Sequence, residues 1–274
     1  MRRDFDSVCE HKVRARQKIN MKIQYASQLF KAAQKESFSK LLKPVAPTLV
    51  LAGNCVQPYS KEGRDFMRSA SLAFDNVYVI PGPAEYGSNP QNCYQRNLTE
   101  LYHVVYKHSN ARILDNRAYD IDTKTHIAGT TLWHHLNGVA TPVRDMIGVN
   151  KTYKMEDKRL ILDMINKQAL ASMNLDGRDF LRSVVLNPEN SCMNIVFGTY
   201  HVPVFDLLTA EDKADYNTAI MSNNELFYCE QPLQVWIAGA GIGANIVKGK
   251  NVLFVKNSYG ADNYSESAVV ELSA

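Results

Sequence analysis

Residues 235–247 read "VWIAGAGIGANIV", an apolar strand running into three alternating glycines, Gly239, Gly241 and Gly243. The spelling suggests a turn that cradles a dinucleotide pyrophosphate. Such a turn needs a helix behind it, with its N-terminus facing the phosphates. It also needs a second strand and an acidic residue about twenty positions further on. Here only seven residues separate Gly243 from the next apolar run, "NVLFVK", and Gly249 lies among them. No crossover helix fits that gap. The glycines are therefore read as a tight loop between two strands, the remains of a different kind of site.

Upstream of this stretch, short apolar runs rich in Val, Ile, Thr and aromatics recur: "KIQYAS" (22–27), "TLVLAG" (48–53), "VYVIPG" (77–82), "HIAGTTLW" (126–133), "NIVFGTY" (194–200) and "QVWIAG" (234–239). Turn-forming residues bound each one, as expected of buried strands. Between them, residues 60–74, 94–108 and 158–173 space their apolar side chains three and four apart, which predicts amphipathic helices. This alternation predicts an α/β protein with helices over a buried sheet. The tail differs: 245–260 and 267–274 read as consecutive strands with a "KGK" turn, which predicts antiparallel pairing late in the fold.

Six of the 31 Lys and Arg and three of the 28 Asp and Glu lie in residues 1–20, so the rest balance at 25 each. A neutral body has no broad field to attract nucleic acid. Residues 1–20 are read as a basic, flexible arm able to touch an acidic partner or nucleic acid, and 21–274 as one domain. The five cysteines are odd in number and contain no C-x-x-C pair, so they read as free thiols in a reducing compartment. No apolar stretch approaches the length of a membrane span, and the first twenty residues lack a secretory core. An intracellular protein, cytoplasmic or within a large particle, is expected. The three N-x-S/T matches, at Asn97, Asn150 and Asn263, are then coincidental.

In open α/β sheets, functional residues gather beyond the carboxyl ends of the strands. Those ends read, in order, "YASQLF", "LAGNCVQP", "VIPGPAEYG", "GTTLW", "FGTYHVP" and "WIAGAGIGANI". Their order and spacing closely resemble the calcineurin-like metallophosphoesterases, with S-D-L-H, A-G-D, P-G-N-H-E, G-T-T-L-W in one branch, T-H-H-x-P and W-I-x-G-H-T-H. The resemblance covers roughly residues 21–274. It implies a four-layer α/β/β/α sandwich with two mixed β-sheets. It also implies a crevice in which acidic and imidazole ligands hold two divalent metals that generate the attacking hydroxide.

Each ligand position carries another residue type here. The first aspartate and histidine fall on Gln28 and Phe30, and the bridging aspartate on Asn54. The metal-binding asparagine falls on Pro83 and the leaving-group histidine on Ala84. The fifth-motif histidine falls on Tyr200, and the last pair on Ala240 and Ile242. Closely spaced divalent ions need anionic oxygen between them, which an asparagine carbonyl does not supply. No cofactor is expected.

Other residues invite a role. Glu85 keeps the acid of the third motif and is read as orienting backbone. His201 stands beside the lost ligand and is read as bonded to a neighbouring carbonyl. His134 and His135 are adjacent and point apart, so they read as a surface pair. Cys55 reads as packing, because a catalytic thiol needs a base or a helix N-terminus beside it. Tyr25, Tyr86, Tyr200 and Tyr259 are expected to fill or rim the crevice.

The reading is a non-catalytic pseudoenzyme, a fold kept for shape and reused as a structural or protein-interaction subunit of a larger assembly. A virus shell or ribonucleoprotein fits that description, with other protein subunits as partners and no membrane. A second reading is a weak or altered metal-dependent phosphoesterase using His201, Glu85 and Asn54. A third is a module that binds a phosphate-bearing ligand in the emptied crevice through Gln28, Asn54 and glycine-rich backbone.

Overall fold

The computed structural model describes residues 21–89, 91–133, 167–214 and 232–272. The predicted arm 1–20 and the pair His134–His135 lie outside the described residues. Two mixed sheets form the centre. The first contains β1 (Met21–Ala26), β2 (Thr48–Ala52), β3 (Asn76–Ile80), β4 (Ala111–Ile113) and β11 (Val269–Leu272), in the order β11-β1-β2-β3-β4. The second contains β5 (Arg117–Asp120), β6 (Thr125–Thr130), β7 (Asn194–Thr199), β8 (Leu233–Ala238), β9 (Gly243–Lys248) and β10 (Leu253–Ser258), in the order β5-β6-β7-β8-β10-β9. β1 to β4 run parallel, as do β6, β7, β8 and β10; β11, β5 and β9 pair antiparallel at the edges.

The period-two alternation of a strand sorts the side chains into layers. In β2, Val50 and Ala52 enter the core between the sheets with Tyr25 and Ile80, and Gly198 of β7 faces them from the second sheet. Leu49 and Leu51 face the other way, into a second core with Phe66, Met67 and Ala70 of α2 (Lys61–Ala73) and Leu101, Val104 and Val105 of α4 (Tyr94–Val105). A fully buried Leu or Val contributes roughly 1.5–3 kcal/mol, so both faces of β2 drive the assembly. The short helices α1 (Phe38–Leu41) and α3 (Pro83–Tyr86) lie on the loops after β1 and β3. α5 (Lys167–Leu186) covers the face of the second sheet turned away from the first, where Gly177 approaches Thr130 and Leu181 and Val184 are buried. The result is the four-layer α/β/β/α sandwich that the strand-end motifs imply.

Several boundaries differ from expectation. The run 126–133 leaves the sheet after Thr130, and Leu132 adopts φ +49°. The helix expected over 158–173 runs over Lys167–Leu186 within the described residues, continuing through Gly177. A Cβ at Gly177 would come within 2.8 Å of Thr130 Oγ1, so close approach to β6 offsets the poor helix propensity of glycine. The tail strands β9 and β10 pair antiparallel as expected, but β11 crosses to pair with β1 of the other sheet. Among the described residues, no helix is long and apolar enough to cross a membrane.

Candidate functional site

The carboxyl ends of β1, β2, β3, β7 and β8 converge, and hydrogen bonds join most of the residues that the motifs single out. Asn54 Nδ2 donates to the Tyr200 hydroxyl at 2.8 Å and to Gln28 Oε1 at 3.0 Å, while Gln28 Nε2 donates to the same hydroxyl at 3.1 Å. The Ala84 amide donates to Asn54 Oδ1 at 2.8 Å, the Phe30 amide to the Asn54 carbonyl at 2.8 Å, and the Ala240 amide to the Tyr200 carbonyl at 2.7 Å. Pro83 opens α3 directly after Gly82. Gln28, Phe30, Asn54, Pro83, Ala84, Glu85, Tyr200 and Ala240 therefore form one constellation. Tyr200 fills its centre, against Gly53, where a Cβ would meet the ring at 2.3 Å.

The backbone beneath these side chains is strained. Gln28 and Asn54 adopt φ +63° and +53°, a left-handed conformation uncommon outside glycine. Such residues persist only where the surroundings over-determine them. Here the Gln28 amide donates to the Gly53 carbonyl at 3.1 Å, and both side chains are held by Tyr200.

Glu85 is fully buried and accepts from four backbone amides: Asn54 at 2.9 Å, Cys55 at 2.6 Å, Val56 at 2.9 Å and Gly82 at 2.9 Å. Burial pushes its carboxyl up to about 7, and the four amide donors pull against that shift. Its role is to tie the loop after β2 to the loop after β3. Cys55 packs beneath, with burial and then Glu85 raising its thiol well above the ordinary range. A thiol so placed is a poor nucleophile.

His201 donates its backbone amide to the Thr131 carbonyl at 3.1 Å, and its Nδ1 lies 3.2 Å from the same oxygen. That is the carbonyl partnership expected from the sequence. Its ring faces Trp133 and Tyr200, with centroids at 5.6 Å and 4.9 Å. Of the other tyrosines, Tyr86 reaches Asp115 and Thr131 at 3.2 Å, away from Asn54 and Gln28. Tyr25 belongs to the inter-sheet core, and Tyr259 meets Tyr264 edge to face. Of these four tyrosines, Tyr200 fills the crevice.

The glycine stretch is a loop between β8 and β9, with no helix behind it. A Cβ at Gly239 would sit 1.6 Å from the Ala52 carbonyl oxygen, so glycine is needed where the two sheets meet. Ser27 and Ser258 both donate to the Gly239 carbonyl, at 2.8 and 2.9 Å. Ile242 stands apart from the Tyr200 network, 37% exposed, and its backbone is held by two residues that sequence reasoning missed. One is Asp212 in α6 (Ala210–Ala214), the other Lys256 in β10. The available signal was a lone lysine inside the apolar run "VLFVK".

The fold family implies a two-metal centre, and the residues present do not fit one. Ala84, Ala240, Pro83, Phe30 and Ile242 offer no side-chain donor atom. Gln28, Asn54 and Tyr200 are neutral and bonded to one another, and both oxygens of Glu85 are taken by amides. Among the described residues, no group of three or more His, Cys, Asp or Glu side chains is placed to hold a metal ion. Hard divalent ions require anionic oxygen that this set does not offer.

No family model matches the chain. An uncharacterized protein of Acanthamoeba polyphaga mimivirus, L509, is 23% identical over 205 residues, covering 70% of each chain. Among solved structures, the phosphopantetheinyl hydrolase of Mycobacterium tuberculosis superposes with a TM-score of 0.62 at 13% identity, covering 92% of this chain and 96% of that one. The protein TT1561 of Thermus thermophilus superposes with a TM-score of 0.50 at 13% identity, covering 87% and 89%. At such identities the likeness concerns the fold, and that fold is metallophosphoesterase-like.

Proposed function

We propose that this chain is a non-catalytic metallophosphoesterase-like protein whose fold serves as a structural or protein-interaction subunit of a larger assembly. The observation that carries the reading is the Tyr200 hydroxyl, bonded to Asn54 at 2.8 Å and to Gln28 at 3.1 Å, in the position where the family's acidic and imidazole ligands meet. Neutral side chains bonded to one another leave no anionic oxygen for a metal, and both hydrogens of Asn54 Nδ2 are already committed. Fold and chemistry separate readily, because function resides in a site carried by the fold.

Purified protein would be assayed on aryl phosphate monoesters and diesters with Mn, Zn, Ni and Mg, alongside elemental analysis. The expected result is no turnover beyond metal and buffer alone, and less than stoichiometric metal. Turnover that disappears in His201→Ala, with folding retained, would reverse the reading in favour of an enzyme. For the interaction role, native material should elute in a complex well above the 30.9 kDa of the chain, with a defined protein at fixed ratio. Elution as a lone monomer from its native source counts against it.

A further inference from the structure

Lys256 is fully buried, in a strand whose neighbours Phe254 and Val255 are core residues. Its Nζ donates to Asp212 Oδ2 at 2.5 Å and to the Ile242 carbonyl at 3.1 Å. The Asp212 carboxylate in turn accepts the Ile242 amide on Oδ1 at 3.1 Å and the Thr209 amide on Oδ2 at 3.2 Å. Both polar groups of one residue's backbone are thus held by opposite buried charges. Gly241, at φ +84°, leaves room for this arrangement, since a Cβ there would press on the carboxylate at 2.6 Å. Burial pulls the lysine below its ordinary range, and Asp212 opposes that shift.

Two buried charges are an expensive way to hold a fold together, since apolar residues of the same volume do as well or better. What an apolar pair cannot do is fix the N–H and C=O of a particular loop residue. We infer that the Asp212–Lys256 pair is a conformational clamp that sets the position of the glycine loop 239–243, and with it the exposed Ile242 side chain, from inside the protein. The loop then needs no ion to hold it. The clamp is independent of whether the chain turns over a substrate, so its failure would be distinct from failure of the functional reading.

The test compares wild type with Lys256→Met, Asp212→Leu and the double variant by thermal unfolding and by hydrogen exchange at single-amide resolution. Each single change strands a buried charge and should lower the melting temperature clearly. The double variant should recover most of that loss. Its Ile242 amide should nevertheless exchange about tenfold faster or more, because the acceptor is gone, while amides in β7 and β8 keep their protection. Wild-type exchange at Ile242 in the double variant, or single variants that melt like wild type, would overturn the clamp. Should the double variant not fold, Asp212→Asn keeps the shape and the Oδ1 acceptor while losing the charge. That protein should melt well below wild type because Lys256 is left buried without its counter-charge, and an unchanged melting temperature also overturns the inference.

Discussion

The two rims of the crevice solve one problem in opposite ways. On the rim formed by β1, β2 and β3, closed by Tyr200 from the end of β7, the polar groups are mostly neutral. Two amides and a phenol satisfy one another, and the one carboxylate is spent on four backbone N–H groups. On the rim formed by β8, β9 and β10, two full charges grip a single loop residue. Polar groups at buried strand ends must find partners in either case. The difference lies in what each arrangement protects. The neutral rim holds strained left-handed residues in place, whereas the charged rim holds a glycine loop that has freedom to spare.

The strongest way to break this comparison is Glu85→Ala. It removes the acceptor of four amides in a fully buried position, and should cost about 3–5 kcal/mol in urea unfolding, as for other buried charged networks that lose one member. A cost under about 1 kcal/mol would show that Glu85 does not join the loops. The pH dependence has a definite sign. Glu85 is raised from 4.5 to about 7. Between those values the folded protein keeps a proton that the unfolded chain has released. Stability therefore falls as pH rises through that window, by at most about 1.4 kcal/mol per unit, and levels off above it. The advantage of wild type over Glu85→Ala should shrink correspondingly from about pH 5 to pH 7. An advantage that grows with pH would mean the four amides outweigh burial.

Tyr200→Phe tests the neutral network itself. The ring still fills the space over Gly53, but Gln28 Nε2 and Asn54 Nδ2 lose their shared acceptor. Gln28 and Asn54 are only partly buried, so water offsets part of the loss and a cost of about 1–2 kcal/mol is expected. In an Asn54→Ala background the same change should cost less, by about 0.5 kcal/mol or more, because the pair acts as a unit. Strict additivity would show that the three side chains are neighbours without being a network.

Much of this was legible from the sequence, and the reasons differ by region. The strand ends were readable because buried parallel strands leave continuous apolar runs, and because turn residues mark where each run stops. The glycine loop was readable because seven residues cannot hold a crossover helix. The full extent of α5 was not, since Gly177 breaks the propensity and only the nearness of Thr130 explains it. β4 and β5 were missed because they are short, at three and four residues, and β5 is half exposed with no clear alternation. The clamp was missed for a different reason. Asp212 and Lys256 lie 44 positions apart, and nothing local to either one announces the other. Two of the asparagines in the N-x-S/T matches are held by hydrogen bonds. Asn97 is buried with its amide on the Tyr86 and Asn89 carbonyls, and Asn263 exchanges hydrogen bonds with Ala244.

The smallest expected effect sharpens the claim that the crevice network, and not local preference, sustains the strained backbone. Asn54 and Asn116 have nearly the same left-handed φ, +53° and +50°. Asn54 makes three side-chain hydrogen bonds in the crevice. Asn116 lies outside it, exposed, between β4 and β5. Glycine removes the steric cost of the left-handed region but adds entropy to the unfolded chain. At Asn116 these terms nearly cancel, so Asn116→Gly should change stability by no more than about 0.5 kcal/mol. At Asn54 the same steric gain meets the loss of the side-chain bonds, and Asn54→Gly should be destabilising by about 1–3 kcal/mol. Urea unfolding of the two variants side by side measures the difference directly. Equal effects at both positions would mean that the backbone at Asn54 needs no support from Tyr200 and Gln28, and the contrast between the two rims would lose its neutral half.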